Sequence, residues 1–72
     1  MNFITPDDIT IGTQYYSAGK HPKLCTVIDI YKTYNSKNEL VNTSYVTTHE
    51  FLGQIIKEHN IPAVTIQRGF KQ

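Results

Sequence analysis

The chain has 72 residues, 39% of them hydrophobic and 18% charged, with a formal net charge of +1; a chain of this size makes one small domain, here 1–72, and buries only about 60% of the surface its unfolded form exposes. That composition excludes a disordered chain, and the charge balance excludes a field strong enough to dictate a polyanion partner. No apolar run approaches the roughly 20 residues of a membrane helix, and the opening Met1-Asn2-Phe3-Ile4-Thr5-Pro6-Asp7-Asp8 lacks the basic region and apolar block of a secretion signal, so the expectation is a cytoplasmic protein with no membrane partner.

In chain order, Pro6-Asp7-Asp8-Ile9 reads as a turn or a single helical turn, because proline suits the first helical position and early acids suit a helix N-terminus. Ile9-Thr10-Ile11 and Thr13-Gln14-Tyr15-Tyr16 read as a first strand bent at Gly12. The turn-like 17–23 follows, carrying Lys20, His21 and Lys23 as a small positive patch, and Arg68 and Lys71 give the C-terminus a basic end.

Residues 24–48 read as a long β-hairpin, two β-branched, Tyr-containing runs around the polar turn Asn35-Ser36-Lys37-Asn38. Alternation puts Leu24, Thr26, Ile28 and Ile30 on one face, the better core candidate, and Cys25, Val27, Asp29, Tyr31 and Thr33 on the other. In the second strand neither face is decisively apolar.

Residues 47–60 carry conflicting signals. Phe51, Leu52, Ile55 and Ile56 recur at helical spacing and Thr47 to Glu50 fits a capping box, which predicts a helix at about 48–59. Against it, Gly53 would cost such a helix about 1 kcal/mol relative to alanine, and a glycine in a strand instead marks a bend. The end, from Ile61-Pro62 to Arg68, reads as a proline-started turn feeding a short final strand.

The succession of the Ile11-Gly12-Thr13 entry, Tyr15-Tyr16, the Gly19-Lys20 loop, the strand from Cys25 to Ile30, the hairpin, Tyr45-Val46, His49 to Gln54 and Thr65 to Gly69 resembles small proteins carried by bacteriophages and prophages. It is also similar to the strand plan of an SH3-like barrel. The phage likeness implies a setting and no mechanism. The barrel likeness implies a mainly β fold, a small SH3-like barrel or strongly bent antiparallel sheet, with residues 50–57 as a bent strand around Gly53 and one short helical turn from Pro62 to Thr65. The alternative is an α+β fold with the helix at about 48–59.

Chemistry-bearing residues are sparse. No paired Cys-x-x-Cys or His-Glu-x-x-His spacing predicts a metal, and no cofactor is expected. Cys25 is the only cysteine and sits among apolar strand residues, so it reads as buried filler; a nucleophile needs an exposed, electropositive setting. His49 and His59 read as surface residues, His49 bonding near the turn or cap. The acids show no pairing that supports acid–base catalysis, and the glycines form no phosphate-cradling loop.

Two features suggest binding. Asp29 interrupts the strongest strand, on a solvated face or, with Tyr31 and Thr33, on a partner surface; if buried it would need Arg68 or Lys32 as its cation. The five tyrosines, with no tryptophan, supply broad rings with polar tips suited to protein interfaces or base stacking, although tyrosine also favours strands for its own sake. The expected function is therefore a non-enzymatic accessory or regulatory module that binds a host or phage protein, with Lys20, Lys23, Asp29, Tyr31, Tyr34 and Arg68 as binding residues. A nucleic-acid-binding barrel using Lys20, Lys23, Lys32 and Arg68 for phosphates and Tyr31 or Tyr34 for stacking is the alternative, and a homodimer is an open option for so small a core.

Overall fold

The structure, a computed structural model, describes residues 4–70; Met1 to Phe3, Lys71 and Gln72 lie outside them. The chain is mainly β. A 3-10 turn at Pro6–Asp8 precedes four strands, β1 (Gln14–Tyr16), β2 (Leu24–Tyr34), β3 (Leu40–Phe51) and β4 (Gln54–Pro62), and one short helix, α1 (Ala63–Arg68). The strands form one open antiparallel sheet in the order β1-β2-β3-β4. After α1 the chain returns to the β1 edge, where Phe70 makes a single bridge to Tyr15.

Local chemistry explains each turn. At the start, Thr5 Oγ1 donates to Asp8 Oδ2 at 2.8 Å and Asp8 N–H donates to the Thr5 carbonyl at 3.0 Å, forming the expected helical turn. The first strand is shorter than expected. Gly12, at φ +99°, turns the chain, so Ile9 points into the core, Ile11 is exposed and pairing starts at Gln14. The hairpin forms as read: Asn35 Oδ1 accepts from the N–H groups of Lys37 and Glu39 at 2.8 and 3.0 Å, and Asn38 adopts φ +62°, the left-handed conformation that asparagine tolerates.

Three readings are corrected. No helix forms at 48–59; these residues complete β3 and begin β4, joined by Leu52-Gly53 at φ +52° and +77°. Positive φ at both central residues is the two-residue hairpin geometry, and Gly53 supplies it where it would have weakened a helix. The glycine thus sits in a turn between two strands rather than at a bend within one. Thr47, the supposed cap, is fully buried and accepts a hydrogen bond from Tyr15 Oη at 3.0 Å.

The second correction concerns the core face of β2. The core gathers Ile4, Ile9, Tyr15, Cys25, Val27, Tyr45 and Ile66, with Ile30, Ile61, Ala63 and Phe70 packed against it. Cys25 and Val27 therefore point inward, while Leu24 and Ile28 are exposed. The cause is a β-bulge: Val27 pairs with Thr47 and Asp29 with Val46, leaving Ile28 as the extra residue. An extra residue shifts the period-2 alternation by one, so Ile30 joins the inward face beyond the bulge. Unbroken alternation from Leu24 to Ile30 therefore misassigns one half of this stretch, whichever face is chosen: the face read as core is wrong for Leu24 and Thr26 and right for Ile30.

The third is the C-terminal segment. Val64, Thr65 and Ile66 lie in α1, not in a strand, and the helix exceeds the single turn implied by the barrel plan. Ile66, fully buried, plugs the core, while Gln67 Nε2 donates to the Ile4 carbonyl at 3.0 Å and ties the helix to the N-terminal segment.

Candidate functional site

The molecule has a packed base and a projecting arm. Gly12 N–H donates to the Val27 carbonyl and Val27 N–H to the Thr13 carbonyl, each at 2.8 Å, and there β1's cover of β2 ends. Beyond it the β2–β3 hairpin runs on, and every residue from 31 to 42 is exposed. The radius of gyration is 13.0 Å, against about 11 Å for a compact chain of this length.

Strand alternation separates the arm's two faces. Ile30, Lys32 and Tyr34 pair with Tyr45, Thr43 and Leu40 on the inward face, which continues the core surface outward. A small recess of about 130 Å³ lies where Pro6, Asp7 and Ile9 overhang Ile30, Lys32, Leu40 and Thr43. Leu40, at the rim of this recess, is still 52% exposed, and its pair partner Tyr34, which does not line the recess, is 55% exposed. Asp29, Tyr31 and Thr33 lie on the outward face, paired with Val46, Ser44 and Asn42. The Asp29 carboxylate beside the Tyr31 hydroxyl raises that phenol's pKa, since it accepts from the neutral form and repels the anion.

The six expected binding residues do not form one site. Asp29 and Tyr31 come together, whereas Tyr34 stands on the opposite face. Asp29 is half-buried, and its Oδ1 accepts from the Ile30 N–H at 2.9 Å; among the described residues neither Lys32 nor Arg68 pairs with it. Lys20 is exposed in the 17–23 loop at the other end of β2, and Lys23 places its ammonium 3.9 Å from the Phe51 ring centroid. Arg68 closes α1.

That end holds a feature the sequence did not reveal. A groove of about 630 Å³ lies between the 17–23 loop and α1, lined by Tyr16, Ser17, Ala18, Pro22, Thr65, Arg68 and Gly69. Its walls are braced: Tyr16 N–H donates to the Gly69 carbonyl at 2.6 Å, Ser17 N–H to the Lys23 carbonyl at 2.9 Å and Lys23 N–H to Ser17 Oγ at 2.9 Å. The close crossing demands glycine, because a Cβ at Gly69 would lie 1.9 Å from the Tyr16 carbonyl oxygen.

The polar groups of the core have structural roles. Burial raises the Cys25 thiol pKa, with hydrogen bonding from Tyr15 opposing it, so the neutral thiol persists and nucleophilic attack is disfavoured. Burial also pushes the Tyr15 hydroxyl up to about 12, partly offset by the bond to Thr47. His49 is not the surface residue expected: its side chain is 8% exposed, and Nδ1 lies 3.2 Å from Glu58 Oε1 without hydrogen-bond alignment. His59 is exposed. Among the described residues no three His, Cys, Asp or Glu side chains converge as metal ligands, and no helix is long and apolar enough to cross a membrane.

The chain matches no family model, no curated protein and no solved structure.

Proposed function

We propose that this chain is a non-enzymatic accessory or regulatory module that acts by binding another protein through its β2–β3 arm. The observation that carries this is the exposure of Tyr31, Tyr34, Leu40 and Val41 on a hairpin that contributes little to the core. Clustered exposed apolar side chains of this kind mark interaction surfaces, and tyrosine anchors such surfaces with few rotatable bonds. The likeness to small phage-carried proteins suggests a host or phage protein as partner and the bacterial cytoplasm as the setting. Nucleic acid is the lesser alternative, because Lys20, Lys23 and Arg68 stand at one end of the sheet and Lys32 on the arm, without a continuous basic track.

The two faces of the arm allow a sharp test. Wild-type protein, a Tyr34→Ser/Leu40→Ser variant and a Tyr31→Ser variant are immobilised and exposed to bacterial lysate with and without nuclease, and retained proteins are identified by mass spectrometry. The expected result is one or two proteins held regardless of nuclease and lost from the folded Tyr34→Ser/Leu40→Ser variant. Retention that disappears with nuclease, or that survives both variants, would overturn the assignment.

A further inference from the structure

The groove between the 17–23 loop and α1 lies at the opposite end of β2 from the arm, and its composition is selective. Tyr16, Ala18 and Pro22 give it apolar walls, Ser17 and Thr65 add hydroxyls, and Arg68 is its one charged lining residue. Its volume of about 630 Å³ falls within the range of about 300–1,000 Å³ typical of ligand sites.

Among the described residues the three elements that bound it carry no acid: the 17–23 loop holds Lys20 and Lys23, α1 holds Arg68, and β1 has no charged residue. Among the described residues the Arg68 guanidinium has no carboxylate within ion-pair distance. A guanidinium at the edge of an apolar groove donates two parallel hydrogen bonds to a carboxylate.

We propose that this groove binds an acidic peptide segment, seating an apolar side chain between Tyr16, Ala18 and Pro22 and a carboxylate on Arg68. An extended peptide fits an open groove bounded by a loop and a helix better than a compact solute does. The braced walls need little reordering on binding, which limits the entropic cost. Nucleic acid is the less favoured occupant, because one lining cation gives little purchase on a run of phosphates. The site goes beyond the arm and is independent of Tyr34 and Leu40.

The test is fluorescence anisotropy with the full chain and four labelled probes: a heptapeptide alternating Leu and Glu, its Leu/Gln and Leu/Lys counterparts, and a single-stranded oligonucleotide. The expected result is saturable binding of the Leu/Glu peptide, at least tenfold tighter than of the other three. Arg68→Gln should weaken it at least tenfold, and Ala18→Asp, which puts a like charge in the groove, should do the same. Circular dichroism establishes that each variant is folded, and Tyr34→Ser/Leu40→Ser should leave the affinity unchanged, so that failure of the arm and failure of the groove are told apart. Equal binding of the Leu/Gln peptide, tighter binding of the oligonucleotide, no binding of the Leu/Glu peptide, or indifference to both groove variants would overturn the proposal.

Discussion

At its base, β2 is flanked by both neighbours, with Gln14–Tyr16 of β1 opposite residues 24–26 and β3 opposite it from Thr26 onward, and its inward residues Cys25 and Val27 are almost fully buried. Past the bulge at Ile28 the same strand has β3 alone, and its aromatic residues Tyr31 and Tyr34 are more than half exposed. Both stretches have the β-branched and aromatic character of strand sequence, yet only the first is held by a core. The contrast teaches that strand pattern specifies pairing, whereas burial depends on what else the chain brings to that face: here Ile4, Ile9 and Ile66 from outside the sheet. Those residues cover the base, and only Ile9 reaches the root of the arm, at the recess beside Lys32 and Leu40, so the exposed apolar side chains of the arm do little for folding and are available for binding.

Substitutions should therefore divide sharply between the regions. Ile66→Ala, at a fully buried site, is expected to cost about 2–5 kcal/mol, and urea unfolding would measure it; a cost as small as that of an arm substitution would break the distinction. Gly69→Ala forces the Tyr16 crossing apart and should cost about 1–3 kcal/mol, read as a lower Tm together with weaker peptide binding in the groove. Thr47→Val removes the acceptor of the buried Tyr15 hydroxyl and should cost about 1–3 kcal/mol, again by urea unfolding.

The same buried hydroxyl sharpens the comparison through pH. Desolvation raises the Tyr15 pKa from its ordinary value of 10.0 to about 12, so above pH 10 the unfolded chain loses this proton before the folded one does. Its contribution to stability is thus present below about pH 10 and lost as pH rises toward 12. Tyr15→Phe should flatten this part of the alkaline unfolding profile, and an unchanged profile would show that the group does not control it.

The hairpin was legible in the sequence because its signals are local: two β-branched runs and a polar turn that Asn35 closes with its own side chain. The choice between helix and strand at 48–59 was not local. Apolar residues at helical spacing and an apparent cap favoured a helix, but Leu52 is 86% exposed and Thr47 is buried, so the apparent helical face never meets the core. The face of β2 was misread only before the bulge, where Cys25 and Val27 point inward, while Ile30 lies inward as expected; one bulged residue separates the two halves, and no composition announces it. Val64-Thr65-Ile66 looked like a strand because β-branched residues favour one; burying Ile66 against the sheet overrides that preference. Exposed tyrosines were anticipated, but not the separation of Tyr31 from Tyr34, which lie three residues apart on β2 and so take opposite faces, with Val41 of β3 left over in the pairing between Thr33 and Tyr34. The groove was invisible because Tyr16 to Pro22 and Thr65 to Gly69 meet only once the C-terminal segment has docked on β1.

The smallest expected effect bears most directly on the division between base and arm. Tyr34→Ser/Leu40→Ser alters two exposed positions and should shift unfolding free energy by no more than about 0.5 kcal/mol per site. Urea unfolding and partner capture on the same preparation form the decisive measurement. The account predicts a nearly unchanged unfolding midpoint with the partner lost; a large fall in the midpoint, or full capture by the folded variant, would contradict it.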